Sequence, residues 1–111
     1  MSELTANVQE REGVSIIQLS GYLSSGSETA LEEAFQQANE AAKVLIAFRE
    51  KDMISSAGIA LLFDLILTAQ GEGKQVRIAQ PTPHFRKVFD IVGLSKDVEI
   101  FESEAQAVAG W

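Results

Sequence analysis

Residues 44–69 read VLIAFREKDMISSAGIALLFDLILTA. Val44 to Phe48 are consecutively apolar, strand-length, and show no alternation of apolar and polar positions. That pattern predicts a central strand covered on both faces, as in layered α/β domains. Arg49 to Asp52 form a charged break, and Ser55-Ser56-Ala57-Gly58 follow. Ile59 to Ala69 is apolar nearly all round, which predicts a largely buried helix. Gly71 and Gly73 stop it. The stretch is therefore a buried strand turning through a serine corner into a buried helix.

Upstream, Leu4, Ala6 and Val8 alternate with polar residues, the strand period. Glu12-Gly13 supplies a turn, Val14 to Leu19 a second strand, and Gly21 its end, so the two strands are expected to pair as a hairpin. Ser24 to Ser27 is a loop, with capping-box spacing between Ser25 and Glu28 and a second N-cap candidate in Ser27. Leu31, Ala34, Phe35, Ala38 and Ala42 then share one helical face. Glu32, Glu33, Gln36, Gln37 and Glu40 take the other, on a surface helix of about four turns.

Downstream, Gln75 to Ala79 is a strand. Thr82-Pro83 opens a helix with Thr82 as cap. Phe85, Val88, Phe89 and Val92 form its apolar stripe, and Gly93 stops it. Val98 to Phe101 is a short strand, and Ser103 with Gln106 opens a last short helix. The order β-β-α-β-α-β-α-β-α predicts an α/β domain of about five strands and about four helices. Its sheet is mixed, mostly parallel beyond the opening hairpin.

The chain has 111 residues, the size of one domain, and 46% are hydrophobic, which excludes a disordered tail or a fibrous repeat. Apolar runs reach only five residues, as in Ile59 to Phe63, against the roughly 20 of a membrane span. The first twelve residues carry three glutamates and no apolar block, so no secretory signal is expected before the domain. Cysteine is absent and histidine occurs once, at His84, so no metal centre or cofactor is expected. The net charge of −7 repels nucleic acid. Lys74, Arg77, Arg86, Lys87 and Lys96 against the lone acid Asp90 make a mild basic zone, read as a solvated face or as a docking surface for an acidic partner.

Chemistry concentrates at Ser55 and Ser56, which three roles could fit. A serine at a helix start caps it, worth about 1 kcal/mol. A phosphate there would add about −1.5 to −2 charges beside the positive end of the helix, switching partner binding while leaving the fold intact. A catalytic nucleophile fits worst, because the G-x-S-x-G elbow is missing and the base would have to be the distant His84. Gly71-Glu72-Gly73-Lys74 lacks phosphate-loop spacing and reads as a helix stop and turn.

Four segments together resemble the STAS domain, the fold of bacterial anti-sigma factor antagonists: VSIIQLSGYL (14–23), VLIAFREKDMISSAG (44–58), GEGKQVRIA (71–79) and PTPHFRKVFDIVGL (81–94). The likeness spans nearly the whole chain and implies one STAS domain over residues 1–111. In that family the first serine of a D-S-S-G element is the phosphoacceptor, and alignment on Gly58 puts Ser56 in its place, with Ser55 the alternative. Here Ser55 stands for the aspartate, Ala57 for the second serine or threonine, and Ser24 for an aspartate that many members carry after G-x-L.

The resemblance implies a non-catalytic, cytoplasmic binding module. Its partner is an anti-sigma factor, often a serine kinase of the histidine-kinase-like ATPase fold, held when the serine is unmodified and released on phosphorylation. A metal-dependent serine phosphatase reverses the switch. The docking residues implied are Leu23, Ser24, Ser25, Met53, Ile54, Ser55, Ser56, Ala57, Gly58 and Ile59. The alternative is a STAS domain that senses a nucleotide or lipid, or serves a transporter, without serine phosphorylation.

Overall fold

A computed structural model describes residues 4–11, 13–38, 41–49, 53–81, 83–93, 96, 98–109 and 111. The strands are β1 (Thr5–Arg11), β2 (Val14–Ser20), β3 (Tyr22–Leu23), β4 (Lys43–Ala47), β5 (Met53–Ile54), β6 (Gln75–Ala79) and β7 (Glu99–Phe101). The helices are α1 (Glu28–Gln37), α2 (Ser56–Gly71), α3 (Pro83–Val92) and α4 (Glu104–Val108), with a 3-10 turn over Ser25–Ser27 before α1. The predicted cap Thr82 lies outside the described residues, as do Glu40, Asp52 and Leu94.

The main sheet runs β1-β2-β4-β6-β7. β1 and β2 pair antiparallel from Thr5 opposite Ser20 to Arg11 opposite Val14, and every later pairing is parallel. This is the predicted mixed sheet with an opening hairpin. The strand order never reverses, so successive crossovers of one hand lay α1, α2 and α3 on one face.

That face holds the larger core. Val8, Ile17, Ile46, Ile78 and Ile100 stand side by side across the five strands. Leu31 and Ala34 of α1, Leu62 and Ile66 of α2, and Phe85 and Phe89 of α3 pack onto this side of the sheet. Phe48, just past β4, meets Phe85 edge-on at 5.5 Å between ring centres and Phe89 at 5.9 Å, which seats α3.

Side chains one position out of phase face the other way. Val14, Ile16, Leu45, Ala47 and Ala79 pack under Ala107 of α4, with Phe101 and Trp111 at the edge. β4 is covered on both faces, which explains its unbroken apolar run.

Three sequence expectations are corrected. α1 has ten residues rather than four turns, because Ala38 caps it. Ala42 then lies past the helix and exposed. α2 is not buried all round: Ile59, Leu62, Ile66 and Ala69 face inward, while Ala57, Ala60, Asp64, Leu67 and Thr68 face out. Only one side of this helix meets the sheet.

The basic zone also breaks up. Lys74 Nζ donates to the Ala41 carbonyl at 2.7 Å, and Arg77 Nη1 to the Ala107 carbonyl at 2.8 Å. The Arg77 guanidinium lies 5.2 Å from the Phe101 ring centre and 4.6 Å from that of Trp111. Two of the five cations therefore hold the fold together. Trp111 is pinned further by its indole N–H, which donates to Gln75 Oε1 at 2.6 Å.

Truncating the fully buried Ile66 to Ala should cost about 2–5 kcal/mol in urea unfolding. Truncating Ile91, which is 75% exposed, should stay within about 0.5 kcal/mol. Equal losses at both positions would contradict this division of the core.

Candidate functional site

Past its last residue, β2 bends through Gly21 into β3, a strand to which the sequence reading gave no element of its own. β3 pairs in parallel with β5, Tyr22 opposite Met53 and Leu23 opposite Ile54. Two residues per strand are too few to stand alone. The pair is held from both sides. Leu23 is buried in the main core, and the Ser55 N–H donates to the Leu23 carbonyl at 2.8 Å, extending the ladder by one bond.

α2 starts immediately beyond. Ser55 is its N-cap, with extended backbone (φ −95°, ψ 168°), and its Oγ accepts the Gly58 N–H at 3.0 Å. The capping role is therefore filled by Ser55, while Ser56 is the first helical residue. The first turn of α2 carries no acidic side chain. The positive end of the sixteen-residue helix is therefore not offset by a carboxylate of its own first turn.

Gly58 is dictated by packing. A Cβ built there would stand 2.3 Å from the Leu23 carbonyl oxygen and 2.6 Å from its carbon. Both atoms are backbone, so no side-chain rotation relieves the clash. The glycine lets the helix start press against β3.

The neighbouring loop is tied by two serines. The Ser24 N–H donates to Ser27 Oγ at 3.0 Å, and the Gly26 N–H donates to Ser24 Oγ at 3.3 Å. The buried Ser27 hydroxyl donates to the Tyr22 carbonyl at 3.2 Å. The capping box is thus Ser24 with Ser27, not Ser25 with Glu28. Ser24 stands where an acid was the family expectation, and its hydroxyl oxygen serves the turn as the acceptor of the Gly26 N–H.

The corner brings the backbones of Leu23, Ser24 and Met53 to Ile59 together, with Ser25 on the adjoining turn. The side chains of Ser25, Met53, Ile54 and Ser56 lie outside the described part of the structure, as does that of His84. Ala57 is exposed, whereas Leu23, Gly58 and Ile59 are buried. These three support the corner from beneath. Tyr22 is a supporting residue that the sequence reading did not place in the site, and Ser27, in the neighbouring loop expected to join the docking surface, is buried and supports it from within. The G-Y-L step after a strand was the only hint of the extra pairing. Among the described residues no cluster of three His, Asp or Glu side chains could hold a metal ion, and no helix is long and apolar enough to cross a membrane.

The STAS domain family model matches residues 5–107. The chain belongs to the STAS domain family, whose anti-sigma factor antagonist members are non-catalytic binding modules. Its fold is similar to that of an anti-sigma factor antagonist from Mycobacterium paratuberculosis, at a TM-score of 0.80 and 21% identity, over 96% of this chain and 92% of that one. It is also similar to the Bacillus cell fate determinant SpoIIAA in its phosphorylated form, at a TM-score of 0.71 and 19% identity, over 94% and 96% of the two chains. Unphosphorylated SpoIIAA, an anti-sigma factor antagonist, gives 0.69 at 14% identity over 92% of each chain. No curated protein is similar enough in sequence to count as a match.

Replacing Gly58 by Ala should destabilise the fold by about 1–3 kcal/mol despite alanine's better helix propensity. The same change at Gly71, where a Cβ meets nothing within 4 Å, should be neutral or stabilising. Ser55→Ala should cost about 0.5–2 kcal/mol. Urea midpoints measure all three, and a Gly58→Ala variant as stable as Gly71→Ala would refute the close-approach account.

Proposed function

We propose that this chain is an anti-sigma factor antagonist, one STAS unit over residues 1–111, switched by phosphorylation at Ser56. The observation that carries the reading is the placement of Ser55 and Ser56 at the start of α2. Ser55 is committed to the cap through the Gly58 N–H. Ser56, one residue on, has no part in that bond and opens the helix.

The docking surface is the rim of this corner: Ser24, Ser25, Met53, Ile54, Ser56 and Ala57, with Leu23, Ser55, Gly58 and Ile59 fixing its shape. The partner is an anti-sigma factor that is itself a serine kinase of the histidine-kinase-like ATPase fold. Unmodified chain binds it. A phosphate on Ser56 adds about −1.5 to −2 charges at the contact and opposes docking. Backbone N–H groups at the helix start stabilise that charge locally, so release needs no refolding. A metal-dependent serine phosphatase restores the binding form, and the cycle runs in the bacterial cytoplasm.

The chain itself performs no chemistry in this scheme. Its net charge of −7 gives nucleic acid no foothold. The two family aspartates are replaced by Ser24 and Ser55, and both hydroxyls are spent on backbone N–H groups, Gly26 and Gly58. The kinase therefore has to supply the charged groups that position its nucleotide against Ser56.

Mass-spectrometric mapping of the chain isolated from its native cells should find phosphate on Ser56, lost in a Ser56→Ala variant. Phosphate on Ser55 instead, or none under growth and stress, would contradict the assignment.

A further inference from the structure

The back face of the sheet carries a hollow of about 640 Å³ that the switch does not use. It lies between the hairpin end of β1 and β2, helix α4 and Trp111. Val14 and Ile16, only 6% and 3% exposed, form its floor, and Val108 and the Trp111 indole form its walls. Its volume falls within the roughly 300–1,000 Å³ of small-molecule sites, which are mostly apolar with few polar groups.

The charged side chains of its lining are two, and they differ. The Glu104 carboxylate accepts from Gln18 Nε2 at 3.4 Å. Arg11 is exposed at the mouth, with no carboxylate paired to it among the described residues. Among the described residues, the group left to meet a ligand is thus a guanidinium beside an apolar floor. A guanidinium recognises a carboxylate through two parallel hydrogen bonds. A phosphate chain needs several donors, and here the one cation shares the lining with an acid.

We infer that this hollow binds an amphipathic monocarboxylate, with its head on Arg11 and its hydrocarbon body against Val14, Ile16, Val108 and Trp111. The inference does not depend on the phosphorylation reading. The hollow is on the face opposite α1 to α3 and beside the first residue of β2, whereas the serine corner lies beyond the last.

Trp111 is the only tryptophan and lines this hollow, so its emission reports on the back face it covers, and the Arg11 and Ala105 variants assign a change to this site. Decanoate titrated into the full chain should change that emission saturably, with calorimetry giving the same affinity. Arg11→Gln should weaken decanoate about tenfold, the size of one charge-assisted hydrogen bond, and leave 1-decanol binding unchanged. Ala105→Phe, which fills the hollow, should abolish both. Ser56→Asp should alter neither, which separates this site from the switch. Unchanged urea midpoints confirm that the variants fold. No saturable binding of decanoate, or equal binding by Arg11→Gln, would overturn the proposal.

Discussion

The contact on which the site depends is the one at the Leu23 carbonyl. It accepts the Ser55 N–H at 2.8 Å and stands where any side chain on Gly58 would have to be. Leu23 is at the same time a fully buried core residue. One residue therefore links the main core, the two-residue strand β3 and the first turn of α2. The small β3–β5 sheet has too little ladder of its own to define a position. It takes its position from Leu23, and the serine corner takes its position from the sheet. A shift of Leu23 would move the helix start, and with it the surface offered to a partner.

The rest of the fold divides the labour between two faces. A strand order without reversal stacks three helices on one side, and that side supplies most of the buried volume. α2 is fixed there by its inward row of Leu62 and Ile66, so its N-terminus is presented at the chain end of the parallel strands. Among the described residues the opposite face is closed by little more than α4 and Trp111, drawn down by Arg77 between two rings. This thinner cover leaves the hollow beside Val14 and Ile16. The serine corner and the hollow are thus separate in space, one beyond the last residue of β2 and the other beside its first.

Much of this was legible in the sequence because the signals were local. The unbroken run Val44 to Phe48 marked a strand covered on both faces. Ser103 caps the last helix through the Gln106 N–H as its spacing predicts, at 3.1 Å. Gly93, at φ +83°, ends α3 where a left-handed residue was expected. What was missed depends on distant pairing. Tyr22–Leu23 and Met53–Ile54 are too short to show a period and become strands only because they meet. Ser27 was available as a helix cap but is drawn to the Tyr22 carbonyl instead. The charge of Arg77 suggested solvent, yet its place on the back face, one residue before Ile78, sends it under Trp111. The outer row of α2 read as buried because hydropathy reports composition and not how many sides have a neighbour.

The central claim is that charge at one hydroxyl controls docking while the fold stays constant. The direct test is calorimetric binding of the anti-sigma factor kinase recovered with this chain, using chain carrying phosphoserine at position 56 and unmodified chain, with amide NMR spectra of both. The account predicts tight binding by the unmodified chain, at least about a hundredfold weaker binding with phosphate, as expected for a like charge placed in an interface, and amide shifts confined to the residues around the start of α2. Equal affinity for the two forms, or shifts spread across the whole sheet, would contradict it.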